Sequence, residues 1–171
     1  MNITEKILAR ASGKSTVSPD DIVFAKVDKV MVHDVSGPGV LKVFDKLQKQ
    51  GIDTSKLHDP TKVWIAEDHF VPSAEKISAE NIVKLSNFSK KYNIKKHFKY
   101  GMGQYGICHT LSHEEALVNP GDVYVGGDSH TNTTGALGAF ACGLGHTDIA
   151  YVLLNGEIWF KVPETYYFKL N

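Results

Sequence analysis

Arginine is nearly missing from this chain. Of nineteen basic residues in 171, only Arg10 is an arginine; the others are lysines. Arginine's planar fork is the preferred grip on carboxylates and phosphates, so a site for a multiply charged acid would be expected to show several, and Arg10 stands far from every polar motif. An excess of one charge is missing too. Nineteen acidic residues cancel the nineteen basic ones, which excludes a polybasic nucleic-acid surface and an acidic tail. No apolar run approaches the roughly 20 residues that span a bilayer. Cysteine is scarce: Cys108 and Cys142 are too few and too far apart for a zinc knuckle or a disulfide framework, and each reads as a small buried hydrophobe. The opening "MNITEKILARASGK" is charged and amphipathic, unlike a secretory signal, and a cytoplasmic location is the expectation.

What is present describes a soluble globular domain. Apolar residues make up 42% and charged residues 22%, ordinary values for a chain with a real core, and the length suits one domain. Residues 4–12 read as a helix stopped by Gly13, and "DIVFAKVD" (21–28) alternates like a strand. A helix starts near Pro38 and ends at Gly51. "KVWIAED" (62–68) is a strand, 73–93 a long helix with Ile82, Leu85, Phe88 and Tyr92 inward, "KKHFKY" (95–100) a weaker strand and "GDVYVGG" (121–127) a good one. Residues 131–155 read as helix interrupted by glycines, and "EIWFKVPETYYFKLN" as two short strands split by Pro163. Alternating strands and helices predict an α/β domain: three layers, α/β/α, with a mostly parallel sheet.

In such sheets the working groups gather beyond the carboxyl ends of the strands. His33 and Asp34 follow the first strand region, Glu67, Asp68 and His69 follow "VWIA", His109 follows "HFKYGMGQYGIC", and Asp128, Ser129 and His130 follow "VYVGG". All these candidates fall on one edge. His58, His97, His113 and His146 do not, and read as surface or structural. Asp128-Ser129-His130 is not a hydrolase triad. In an extended segment Asp128 and His130 would share a side and Ser129 would face away. Thr131 is placed to cap the following helix. Gly135, Ala136, Gly138, Ala139, Ala141, Gly143 and Gly145 would let another backbone or a bulky cofactor come close.

"EDHFVP", "GICH", "GGDSHT" and "GALGAFACGLGHTDIAYVL", in this order and with "MVHDVSGP" upstream, resemble the first domain of the aconitase superfamily. The nearest branch is that of the 3-isopropylmalate dehydratase and homoaconitase large subunits, and the resemblance runs over residues 4–168. It implies a hydro-lyase that removes water from a hydroxy acid and adds it back on the neighbouring carbon, using a [4Fe–4S] cluster with one open iron. It implies that Asp68 and His69 protonate the departing hydroxyl, that His109, Asp128 and His130 surround the open iron and its bound oxygen, and that Ser129 and His33 contact substrate.

The resemblance also implies what this chain leaves to others. The family's three cluster cysteines lie further along the large subunit, and neither Cys108 nor Cys142 matches them. The carbon base and the arginines come from later domains and a small subunit. The expectation is therefore a single α/β domain, residues 1–171, forming the N-terminal part of a longer large subunit, with the small subunit as partner and no turnover alone. Two further readings of the same residues stay open. One is a mononuclear zinc or iron(II) hydrolase using His69, His109, Asp128 and His130. The other is an assembly module without chemistry.

Overall fold

The computed structural model describes residues 1–169. The chain runs α1 (Ile3–Ser12), β1 (Ile22–Lys26), β2 (Lys29–His33), α2 (Ser36–Lys49), β3 (Val63–Ala66), α3 (Lys76–Lys91), β4 (Lys96–Phe98), α4 (Cys108–Glu114), β5 (Val123–Gly126), β6 (Phe140–Gly143), α5 (His146–Asn155) and β7 (Glu157–Lys161). Short 3-10 turns occupy Pro60–Lys62 and Thr131–Leu137. No helix among the described residues is long and apolar enough to cross a membrane.

Five strands form one wholly parallel sheet in the order β4-β3-β2-β5-β6. Its central strands are buried on both faces, which is why "VMV", "VWI" and "VYV" read as unbroken apolar runs. Val30, Val32, Ile65 and Val125 meet helices α1, α2, α3 and α5 on one face. Met31, Trp64 and Tyr124 meet α4 and the segment through Val118 on the other. The expected three layers are present, the second being thin. Each fully buried aliphatic side chain such as Ile65 or Leu85 contributes on the order of 1.5–3 kcal/mol.

Local chemistry sets the helix ends. Asn2 and Glu5 form a reciprocal capping box at α1, and Gly13 closes it at φ 69°, a left-handed turn that suits glycine. Helix α2 begins at Ser36, two residues before Pro38, with no side-chain cap from its N-cap residue Val35. Within the expected stripe of α3, Leu85, Phe88 and Tyr92 are buried and Ile82 is half-buried.

Three expectations are corrected. First, β1 lies outside the parallel sheet and pairs antiparallel with β7 in a two-stranded ribbon. Its strict in–out alternation is the mark of a strand buried on one side only. Second, residues 131–155 are not one interrupted helix: a 3-10 turn, strand β6 and helix α5 share that segment. The small residues there serve a strand, and the close approach is to backbone. A Cβ on Gly143 would run into the carbonyl oxygen of Asp128. Third, of the two strands expected around Pro163 only β7 forms among the described residues, and Leu170 and Asn171 lie outside them.

Candidate active site

Strand β2 is flanked by β3 on one side and β5 on the other. The chain leaves β2 toward β3, so the loops after β2 and β5 diverge and open a crevice at the carboxyl edge. His33 ends β2, Asp68 and His69 follow β3, His109 opens α4 beyond β4, and Asp128 follows β5. These groups converge. The His33 and His69 rings stack at 4.5 Å, the His109 and His130 rings lie 6.0 Å apart, and His33 Nε2 is 3.7 Å from Asp128 Oδ2.

The loop after β3 is held by carboxylates. Asp34, fully buried, accepts the backbone N–H groups of His69 (3.1 Å) and Phe70 (2.7 Å). Asp68 Oδ1 lies 2.7 Å from His69 Nδ1, and Asp68 Oδ2 accepts the Cys108 N–H at 2.6 Å. Asp68 therefore ties the β3 loop to the start of α4. Neutral His69 then carries its proton on Nδ1, toward the carboxylate, and leaves Nε2 to handle a proton elsewhere. Burial opposes ionisation of Asp68, yet hydrogen bonds from Cys108 and His69 hold it below the usual carboxylate value.

Asp128 organises the other half. Its Oδ1 lies 2.8 Å from His109 Nε2, accepts the His130 N–H at 2.6 Å, and is 3.4 Å from His130 Nδ1. Burial again opposes ionisation, and the His130 N–H and His109 outweigh it, so Asp128 stays below the usual range. Residues 127–130 are a tight turn, not the extended segment expected. Asp128 and His130 still meet, but Ser129 is not turned away: its Oγ is 3.5 Å from His130 Nδ1. Thr131 does not cap. Its hydroxyl donates back to the Asp128 carbonyl at 2.7 Å, which fixes the turn. The wide glycine step before it is needed as well, because a Cβ on Gly127 would strike Ser36.

His33 replaces the missing cap of α2. Its Nδ1 accepts the N–H groups of Val35 (3.0 Å) and Ser36 (3.2 Å), two donors a helix start otherwise leaves unpaired. The ring is 1% exposed, and Nε2 has no hydrogen-bond partner among the described residues. Burial, with the neighbouring His69, lowers its pKa from 6.5 to about 4, against the opposing pull of Asp68, Asp128 and Asp34.

Sequence reasoning set Asp34 with His33 at this edge but gave it no role in building the site. The histidines set aside do lie elsewhere. The His97 side chain is buried 2.9 Å from Glu67, His113 bonds the His109 carbonyl, and His58 and His146 are exposed. Two groups have ligand atoms within 4.8 Å of one another: His33, Asp34, Asp68 and His69; and His109, Asp128 and His130. In the first, His33 Nδ1 and both carboxylates are already taken up by backbone N–H groups, so it is built as a hydrogen-bonded scaffold.

The chain matches the model of the aconitase family (aconitate hydratase) over residues 5–171. It is 47% identical over 165 residues to the 3-isopropylmalate dehydratase large subunit of Aquifex aeolicus, covering 96% of this chain and 36% of that one. It is 45% identical to the large subunit of the same name from Thermodesulfovibrio yellowstonii (100% and 40% covered) and to that of Caldicellulosiruptor saccharolyticus (99% and 38%). The chain thus spans about two fifths of the length of these relatives. A match over nearly every residue, joined to a histidine–carboxylate site at the edge of a parallel sheet, places this chain in the aconitase family.

Proposed function

We propose that this chain is the N-terminal α/β domain of a cytoplasmic hydro-lyase large subunit of the 3-isopropylmalate dehydratase type. Its substrate is a 2- or 3-hydroxy di- or tricarboxylic acid, and its partners are the remaining large-subunit domains and a small subunit. The observation that carries the reading is the Asp68–His69 pair beside the His109–Asp128 pair at one sheet edge. Hydroxide is a poor leaving group, and an imidazole held by a carboxylate is a suitable acid near neutral pH. Protonated on both nitrogens and braced by Asp68 through Nδ1–H, His69 delivers the Nε2 proton to the departing oxygen and is left neutral. Asp128 and His109 hold that oxygen and the water that replaces it, and Ser129 and His33 bind substrate.

A [4Fe–4S] cluster belongs to this reading, but the residues here do not fit as its ligands. Cluster ligands are thiolates. The chain has two cysteines. Cys108 is fully buried, and burial and Asp68 push its thiol well up; burial pushes up that of Cys142 too. The cluster is therefore assigned to cysteines outside this chain, and no step here is drawn through it. The domain supplies proton-handling and oxygen-binding groups and has no turnover by itself.

The test is reconstitution with the downstream large-subunit domains, the small subunit, iron and sulfide under anaerobic conditions. Formation of the unsaturated acid from isopropylmalate is followed by absorbance. His69→Ala should lower kcat by about 10²–10⁴-fold, the usual range for losing a general acid. Full activity in that variant would overturn the role of His69; inactivity of the wild-type assembly would overturn the substrate class.

A further inference from the structure

We infer that the groove between α2 and α3, whose lining shares no residue with the crevice, docks an amphipathic helix of a partner polypeptide, one with an apolar face flanked by carboxylates. The inference is independent of the hydro-lyase reading.

Charge is the first indication. From Asn81 to His113 the sequence holds six lysines and no acid, although the whole chain is neutral. None of the six forms an ion pair among the described residues. Lys84 and Lys91 stand one heptad apart on α3, about 10.5 Å along its axis at 1.5 Å per residue. Both are exposed and line the groove. From α2 a single carboxylate, Asp45, lines the opposite wall, and it too forms no ion pair among the described residues.

The second indication is the floor. Phe44 of α2 and Phe88 of α3 meet edge to face at 5.6 Å, and Tyr92, just past α3, packs on both at 5.9 and 4.7 Å. The Tyr92 hydroxyl donates to the Thr54 carbonyl at 2.5 Å, and Lys91 Nζ lies 4.9 Å over the Tyr92 ring. The floor is thus fixed before anything docks. The groove has a volume of about 460 Å³ and Leu41 at its side, a fit for a row of apolar anchors at i, i+4 and i+7.

A helix suits these features better than two other ligands. A compact anion meets only one of two lysines that repeat at two turns, whereas glutamates one heptad apart on a docked helix meet both. A nucleic acid stacks its bases on open ring faces, but Phe44, Phe88 and Tyr92 are buried against one another. Nor does this face offer an arginine, whose fork suits phosphate.

Two fluorescent peptides test this on the chain as it stands. Each has three heptads with leucine at a and d and alanine at b, c and f. One carries glutamate at e and g, the other lysine, so that like charges oppose self-pairing. In dilute salt, anisotropy should show the glutamate peptide binding at least about tenfold more tightly than the lysine peptide. Amide shifts in ¹⁵N-labelled protein should fall on residues 41–48 and 84–92. The double variant Lys84→Glu, Lys91→Glu changes only exposed positions, and circular dichroism checks its fold; it should reverse the order of the two peptides. Equal binding, no binding of either peptide, an order unchanged in the double variant, or shifts confined to other elements would each overturn the inference. Displacement of the glutamate peptide by an oligonucleotide of equal charge at equal concentration would overturn it as well, by showing a surface for anions in general. No readout uses turnover, so an inactive reconstituted dehydratase would refute the hydro-lyase reading and leave this result standing.

Discussion

The imidazoles of His33 and His69 lie face to face, 4.5 Å between centroids and 20° from parallel, although 35 residues of sequence separate the two backbones. One ring ends β2; the other rides the loop after β3. The parallel pairing of these strands, with His33 opposite Ala66, makes the stack. Moving either ring disturbs the other.

Asp34→Ala removes the acceptor of two backbone N–H groups in a fully buried place. Destabilisation on the order of 1–3 kcal/mol is expected, the range for stranding buried donors. Urea unfolding measures it, and limited proteolysis should cut the 67–72 loop sooner than in wild type. An unchanged midpoint and cleavage pattern would show that Asp34 does not hold the loop.

Stability should fall with acid in two stages. The folded pKa of His33, about 4, is below its ordinary 6.5, so the unfolded chain takes up this proton first. The contribution is full above pH 6.5 and is lost as the pH drops toward 4, amounting to roughly 3 kcal/mol. Asp68 and Asp128 are held below 3.8, so their contribution is intact above that value and is lost at lower pH. In His33→Gln the loss between pH 6.5 and 4 should largely vanish, with the more acidic stage retained. Thermal melts across pH 3–8 compare the two proteins; identical profiles would refute the assignment to His33.

Gly143→Ala should be far more damaging than Gly135→Ala. A methyl on Gly143 meets the Asp128 carbonyl, a backbone atom that cannot swing aside, whereas nothing lies within 4 Å of one on Gly135. Overpacking of this kind costs about 1–3 kcal/mol, and the shift falls on the turn that carries Asp128. Melting temperatures and the His109 ring resonances report both effects.

Neither thiol should react readily in the folded chain. Burial raises both Cys108 and Cys142, the former also through Asp68, and the thiolate is the reacting form. Thiol titration should find both groups only after denaturation. Rapid labelling of Cys108 in native protein would contradict its placement.

Much of this was legible in the sequence because it follows from local pattern. Unbroken apolar runs locate the central strands, and the polar residues after them, from His33 to His130, meet at one edge. Strand β6 was missed because "FACG" has no β-branched residue, and its identity rests on pairing with β5, a long-range fact. The placing of Ser129 failed because Asp128 folds its own turn, accepting the His130 N–H, where an extended segment was expected. Asp34 escaped notice as a scaffold because its partners are amides some 35 residues away, and amides leave no trace in composition.

Arg10 has a further consequence. Its guanidinium donates to Asp28 Oδ2 at 2.8 Å and to the Gly121 carbonyl at 2.9 Å, and Lys62 Nζ donates to the Val27 carbonyl at 3.0 Å. All of these partners precede strands, at the foot of the sheet, while Asp34, Asp68 and Asp128 gather at its head. The single arginine is thus taken up in fastening the start of the sheet, and among the described residues no lysine or arginine lies within salt-bridge distance of Asp34, Asp68 or Asp128.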